Sequence, residues 1–114
     1  MAEIIFSIHC SALRRRVVLF RHTWEGHVLP QHPAVRHKIP LIKKVLESEA
    51  VADLYEQIEY PKRVFIQFKC PDFLPINNFI RVTMKILDEK KAIVTSAYPV
   101  NSFPKEGVRK YESR

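Results

Sequence analysis

Apolar side chains recur at every second position in two segments of the second half of the chain. The segments cover 64–69 and 80–87, and a loop with two prolines at 71–78 separates them. A period of two places alternate side chains on opposite faces of a β-strand. The pattern therefore predicts two adjacent strands, each with one buried face and one polar face.

A third strand is predicted beside them over 92–98, after a polar turn at 88–91. Strict alternation assigns its residues to two faces: Ile93, Thr95 and Ala97 to one, and Val94, Ser96 and Tyr98 to the other. A shorter strand is predicted over 54–58, before a turn at 60–63. Together these segments predict an antiparallel meander.

The first half of the chain begins with strand-like sequence and continues with helical sequence. Segments 3–10 and 17–20 are rich in β-branched and aromatic residues, and a short turn at 11–13 joins them. Thr23 offers an N-cap oxygen for a helix that begins at Trp24. A glycine and a proline inside this helix limit it to about two turns.

A second helix is predicted with Pro40 in its first turn, because an apolar stripe follows at helical spacing. The stripe comprises Leu41, Ile42, Val45 and Leu46. Helices followed by a meander predict an α+β fold. The chain is expected to form a single domain over 1–114, with an N-terminal β segment at 1–21, a core at 22–100 and a basic tail at 101–114.

The charge of the chain indicates the class of partner that it binds. Nineteen Lys and Arg against twelve Asp and Glu give a formal net charge of +7. On the polar face of the predicted sheet, the excess includes Lys69, Arg81 and Lys85. A basic surface binds a polyanion by releasing its counterions, so these residues favour nucleic acid as a partner. Combined with the proton-exchanging side chains described below, the charge points to RNA. A solvated basic surface without a specific partner is the alternative.

The cysteines and the apolar runs bear on location. Cys10 and Cys70 form neither a CxxC pair nor a zinc-finger pattern, which predicts reduced thiols in a cytoplasmic protein. The first residues are acidic where a signal peptide is basic, and no apolar run reaches the roughly 18 residues of a membrane span. We therefore expect no membrane partner.

Four histidines are evenly spaced, which at first suggests a metal site. They are His22, His27, His32 and His37. On a helix, a step of five residues turns a side chain by roughly 140°, so these rings diverge instead of converging on an ion. The sequence therefore predicts neither a metal nor another cofactor.

Histidine can instead act as a general acid or base, because imidazole exchanges protons near neutral pH. His27 is the first candidate, since it follows Trp24 by three residues and would share a helix face with that core anchor. His32 is the second, because Pro33 biases it towards an extended conformation at the helix end. A half-buried histidine bonded to the backbone is an equally good interpretation of His27.

Hydroxyl groups on the last predicted strand complete the set of candidates. Thr95 and Tyr98, with Ser96 between them, could bind a phosphate or stack on a base. The plainer interpretation is sheet packing, because Thr and Tyr favour strands in any protein.

Two motifs carry a resemblance to a known group of ribonucleases. Trp24-x-x-His27 with His32-Pro33, and Thr95-Ser96-Ala97-Tyr98-Pro99, resemble segments of the barnase, EndoU, colicin and RelE-like (BECR) superfamily, in particular its phage-associated branch. The resemblance covers about residues 22–100. It implies one or two N-terminal helices packed on a four-stranded antiparallel sheet, here with additional N-terminal strands.

The resemblance also implies metal-independent RNA cleavage, often by a toxin that a cognate antitoxin protein neutralises. His27 would be the main acid/base residue, His32 a second proton donor or orienting group, and the strand from Thr95 to Tyr98 a wall of the active site. Arg81 or Lys69 would stabilise the phosphorane.

Two other function classes remain open from the residues alone. A noncatalytic nucleic-acid-binding or protein-interaction domain could use the same basic sheet. An enzyme acting on a nucleotide is disfavoured, because Gly26 and Gly107 are isolated and form no phosphate-binding loop.

Overall fold

The computed structural model of the chain describes residues 3–48, 53–60, 62–70, 79–101 and 107–110. The strands are β1 (Ile4–Cys10), β2 (Arg15–Phe20), β3 (Asp53–Gln57), β4 (Arg63–Lys69), β5 (Phe79–Ile86), β6 (Lys91–Val100) and β7 (Val108–Lys110). The helical elements are α1 (Arg21–Thr23), a π-helical turn (Trp24–Val28), α2 (Leu29–Gln31), a 3₁₀ turn (Pro33–Val35) and α3 (Ile39–Glu47). The loop predicted at 71–78 and most of the tail lie outside the described residues.

The α+β class is confirmed, but the sheet differs from the expected four-stranded antiparallel one. It is a mixed sheet in the order β1-β2-β6-β5-β4-β3-β7, in which β2 and β6 run parallel. The physical reason lies in β2, where Val17, Val18 and Leu19 are all buried. A strand buried on both faces belongs inside a sheet, so β2 joins the N-terminal hairpin to the meander instead of standing apart from it.

The helices pack on one face of this sheet and enclose the core. Trp24, Val28, Val35, Ile42 and Leu46 contribute their side chains from the helical elements. The alternate positions of β4 and β5 that the sequence assigned to the buried face are in the same core. Helix α3 is confirmed, with Pro40 in its first turn. None of the helices in the described ranges combines the length and apolarity needed to cross a membrane.

The first helical segment begins earlier than the sequence predicted. Strand β2 runs directly into helix at Arg21, and Thr23 lies inside the segment and makes no capping hydrogen bond through its side chain. Arg21 forms an ion pair with Glu25, one turn later, at 3.0 Å. Pairs with this spacing stabilise a helix by only about 0.2–0.5 kcal/mol, so this one supports the segment but does not replace the predicted cap.

The side chains that alternate with the core positions form what we call the second face of the sheet. On the four central strands it comprises Tyr55 and Gln57, Arg63, Phe65, Gln67 and Lys69, Phe79, Arg81, Thr83 and Lys85, and Ile93, Ser96 and Tyr98. The predicted polar face thus carries aromatic rings among its cations. Phe65 and Gln67 are buried on it, at 3% and 2% exposure.

The predicted faces of the last strand are wrong beyond its midpoint. The register of β5 with β6 shifts between Thr83, which faces Ser96, and Met84, which faces Val94. Thr95 is therefore the extra residue of a β-bulge, which reverses the alternation after it. Ala97 enters the core, whereas Ser96 and Tyr98 lie on the second face with Ile93.

Candidate active site

A π-helical turn sets the position of the two candidate histidines. The backbone N–H of Leu29 donates to the carbonyl of Trp24, five residues earlier. Pro30 has no N–H and cannot donate to the carbonyl of Gly26, so the ordinary helical ladder is interrupted here. Trp24 is buried, and His27 is exposed. The side chain of His27 makes no hydrogen bond, ion pair or ring contact with another described residue.

His32 lies where the helical segment ends. Its backbone N–H donates to the carbonyl of Val28 at 2.7 Å, and its φ of −136° takes it out of the helix just before Pro33. His32 therefore leaves the helical region, as a residue before proline is expected to do, but its ψ of 65° is not the extended value that the sequence predicted. The partly buried ring of His32 contacts the ring of Tyr98, with 5.3 Å between centroids and a tilt of 34°. The end of the helical segment and strand β6 thus bring the imidazole of His32 and the phenol of Tyr98 together.

Arg81 joins this pair from the neighbouring strand. It faces Tyr98 directly in the ladder of β5 with β6, and its guanidinium carbon lies 5.9 Å from the centroid of the Tyr98 ring. The same guanidinium stacks on Phe65 at 4.7 Å, and its Nε donates to Oε1 of Gln67 at 3.0 Å. Its terminal nitrogens make no hydrogen bond within the part of the chain that the structure describes. We call His32, Tyr98 and Arg81 the His-Tyr-Arg cluster.

A cavity of about 280 Å³ lies further along the second face. It is lined by Gln57, Arg63, Val64, Thr83, Met84, Lys85 and Thr95. Thr83 and Thr95 share a hydrogen bond of 2.9 Å between their hydroxyl groups. Arg63 and Lys85 face each other directly across β4 and β5, and no carboxylate is among the lining residues.

The structure therefore divides the predicted site residues into groups. His32, Tyr98 and Arg81 are in contact, whereas Thr95 and Lys85 line the cavity. His27 is exposed on the same helical segment as His32 and touches neither group through a polar or ring contact among the described residues. Lys69 is exposed at the end of β4, opposite Phe79.

Sequence reasoning missed four residues that shape these two places. They are Arg63, Phe65, Gln67 and Thr83. The signal that could have found them is the period of two, which places all four on the same face as Lys69 and Arg81. The hydrogen bond from Arg81 to Gln67 depends on cross-strand register, which this period does not provide.

Two charged groups away from the second face, Arg21 and Glu56, have partners of opposite charge. Hydrogen bonds and charge attraction from Glu25, and then from Glu3, raise the pKa of Arg21. The carboxylate of Glu56, on the helix-covered side, accepts a hydrogen bond of 2.7 Å from Arg109. The described residues bring no three His, Cys, Asp or Glu side chains together as a metal site would require.

The His-Tyr-Arg cluster and the rest of the second face thus combine an imidazole, a phenol and a fixed guanidinium with hydroxyl groups and further cations. Such groups transfer protons or stabilise negative charge. No protein-family model, no curated protein and no solved structure matches the chain.

Proposed function

We propose that this chain is a metal-independent endoribonuclease whose reaction takes place at the His-Tyr-Arg cluster. The observation that carries the proposal is the 5.3 Å ring contact between His32 and Tyr98, beside the guanidinium of Arg81. An imidazole, a phenol and a cation are the groups that phosphodiester cleavage needs when protons are moved by side chains.

The reaction is an in-line transesterification with three roles. His32 accepts the proton of the ribose 2′-OH, and the 2′-oxygen then forms a bond to phosphorus. The bond from phosphorus to the 5′-oxygen breaks, and Tyr98 donates the proton that the leaving oxygen takes up. Arg81 stabilises the charge of the phosphorane, because Phe65 and Gln67 hold its guanidinium before the substrate arrives. The products are a 2′,3′-cyclic phosphate and a 5′-hydroxyl.

His27 remains the other candidate for proton transfer. It lies five residues before His32, and its exposed side chain is accessible to a bound RNA strand. If His27, and not Tyr98, donates the proton to the leaving 5′-oxygen, the role of Tyr98 is to hold the His32 ring through their contact. Single substitutions separate these two arrangements.

The test is cleavage of a mixed-sequence RNA in the presence of EDTA. We expect His32→Ala and Tyr98→Phe each to reduce kcat by about 10²- to 10⁴-fold, the range for loss of a proton-transfer group. His22→Ala is the matched control, because its exposed ring stacks on Phe20 instead of Tyr98. Full activity of both His32→Ala and Tyr98→Phe would contradict the proposal, and full activity of His27→Ala would exclude a role for that residue.

We extend the proposal to a toxin-like role with an antitoxin protein as partner. The support for this role is the resemblance of the two sequence motifs to the BECR superfamily, in which RNA cleavage is often the activity of a toxin that an antitoxin protein neutralises. Growth arrest by the parent chain but not by His32→Ala, relieved by a coexpressed inhibitor protein, is the expected outcome.

A noncatalytic nucleic-acid-binding domain is the second candidate, and the second face supports it. Its aromatic rings stack on each other and on cations, as Tyr55 does on Phe65 at 5.3 Å and Arg81 does on Phe65 at 4.7 Å. Cations interleaved with rings bind single strands through phosphates and bases. RNA binding that weakens with salt, with no cleavage by the parent chain, would favour this function.

A further inference from the structure

The cavity on the second face holds two cations that the sheet forces into proximity. Arg63 and Lys85 are directly opposed across β4 and β5. Like charges that are directly opposite each other destabilise a pair of antiparallel strands. Neither side chain forms an ion pair with any residue that the structure describes, and Arg63 is held only by its approach to the ring of Tyr60, at 5.0 Å. A bound anion would relieve this repulsion.

The cavity also offers neutral hydrogen-bond donors suited to an anion. Thr83 and Thr95 are 2.9 Å apart, and either hydroxyl can be the donor in their shared bond. When Thr83 donates to Thr95, the Thr95 proton is available for a ligand oxygen. Thr83 has one proton, so this arrangement replaces its longer hydrogen bond of 3.3 Å to the carbonyl of Ser96. The side-chain amide of Gln57 is a further donor in the lining.

The size and place of the cavity restrict what it binds. A volume of about 280 Å³ is several times the roughly 30 Å³ of a water molecule, so it has room for a phosphate group. Lys85 follows Arg81 by four residues on β5, which separates their Cα atoms by about 13 Å along the strand. A phosphate in the cavity is therefore not the phosphate at the His-Tyr-Arg cluster.

We infer that this cavity is a phosphate-binding subsite for the RNA strand, occupied by a phosphodiester other than the one that is cleaved. The inference rests on the proposed function for the strand that it binds. Arg63 and Lys85 neutralise the phosphate, and Thr95 donates a hydrogen bond to it. The strand then crosses the second face from the cavity to the cluster, which fixes the bond that is cleaved relative to the bound phosphate.

The experiment compares two substrates and two lysine variants. The substrates are a diribonucleotide, which has only the scissile phosphate, and a longer oligoribonucleotide. We expect Lys85→Gln to raise KM for the oligonucleotide about tenfold with kcat unchanged, which is the loss of one charge-assisted hydrogen bond. Cleavage of the diribonucleotide should not change. Lys44→Gln, on the exposed face of α3, is the control and should alter neither substrate.

Binding of an all-2′-deoxy oligonucleotide makes the test independent of catalysis. This strand lacks the attacking hydroxyl, so its Kd can be measured even if the chain cleaves no RNA. Lys85→Gln and Thr95→Val should each weaken its binding while Lys44→Gln does not. Both variants should fold, because Lys85→Gln removes a like-charge contact and Thr95 is exposed.

Three outcomes would overturn the subsite. Equal weakening by Lys85→Gln and Lys44→Gln would mean that the strand binds to charge alone. An equal loss with the diribonucleotide would place Lys85 at the scissile phosphate. Displacement of the deoxy strand by inorganic phosphate at a similar concentration would identify the free anion, and not the strand, as the ligand. Absence of RNA cleavage with retained Lys85-dependent binding would reject the ribonuclease and keep the phosphate site.

Discussion

Cys10 is the residue in which burial most clearly determines chemistry. It lies at the end of β1 with no exposed surface. Desolvation raises the pKa of its thiol, and hydrogen bonds with the backbone at Leu13 and Ala12 oppose the shift only in part. Because the thiolate is the reactive form, the Cys10 thiol is a packing group and not a nucleophile. This agrees with the proposal that the reaction takes place at the His-Tyr-Arg cluster and not at Cys10.

Alkaline pH should therefore destabilise the protein through Cys10. The unfolded thiol ionises above its ordinary pKa of about 8.5, whereas the folded thiol stays protonated to a higher pH. The stabilisation is fully present below that pH and is lost as the pH rises towards the folded pKa, by at most about 1.4 kcal/mol per pH unit. We expect the difference in unfolding free energy between the parent chain and Cys10→Ala, from urea titrations, to be constant near neutral pH and to fall above about pH 8.5.

Cys70 is present in both the parent chain and Cys10→Ala, so its contribution cancels in this difference. A difference that stays constant throughout the alkaline range would mean that Cys10 ionises equally in the folded and unfolded states. That result would contradict the burial of its sulfur.

The elements differ in how far the sequence could specify them. Strands β4 and β5 and helix α3 have strong local periods, and their predicted buried positions are confirmed. The parallel pairing of β2 with β6 could not be predicted, because it joins segments more than 70 residues apart in sequence and depends on no local pattern. The bulge at Thr95 also has no compositional signal, so its reversal of the faces was missed.

The residues of the candidate site could be predicted from the sequence, but the contacts between them could not. His32 and Tyr98 stand out in the sequence as groups that transfer protons, but their contact depends on where the π-helical turn ends and on which face the bulge leaves Tyr98. Gln67, by contrast, does not stand out in the sequence. A glutamine inside an apolar strand looks like an ordinary polar-face residue, and only register reveals that it holds Arg81.

The bulge leads to a prediction about strand β6. Deletion of Thr95 leaves Val94 opposite Met84 and Ser96 opposite Thr83, so the remaining ladder needs no rearrangement. We expect the deletion variant to fold and to lose only about 1 kcal/mol of unfolding free energy, for the hydrogen bond between Thr83 and Thr95. Equilibrium urea unfolding measures the change.

Deletion of the preceding residue is the matched control. Without Val94, Thr95 takes the core position opposite Met84, and its hydroxyl is buried there. This adds about 1–3 kcal/mol of destabilisation. If removal of Thr95 were as destabilising as removal of Val94, Thr95 would not be the extra residue of a bulge.

At the scale of the whole molecule, the helices and the proposed binding residues lie on different faces of the sheet. The helices cover one face of the sheet, and the carboxylates of Glu3, Glu25 and Glu56 are engaged with arginines away from the second face. The net charge of +7 is thus left with few carboxylates to oppose it around the cavity. In the proposed function, this positive charge attracts RNA from a distance, and the residues on the second face then fix the position of the strand.

The salt dependence of RNA binding tests whether the second face is the surface that contacts RNA. Each phosphate contact with a single strand contributes about −0.7 to the slope of log K against log salt concentration. We expect Arg63→Gln and Arg81→Gln each to make the slope less negative by about that amount, because both guanidinium groups lie on the second face. Lys43→Gln should leave the slope unchanged, since Lys43 is exposed on α3, which packs on the opposite face. Fluorescence anisotropy of a labelled oligonucleotide over a range of salt concentrations measures all three slopes. An equal change for Lys43→Gln would mean that RNA is held by net charge spread over the molecule, and a parental slope near zero would remove RNA as the partner.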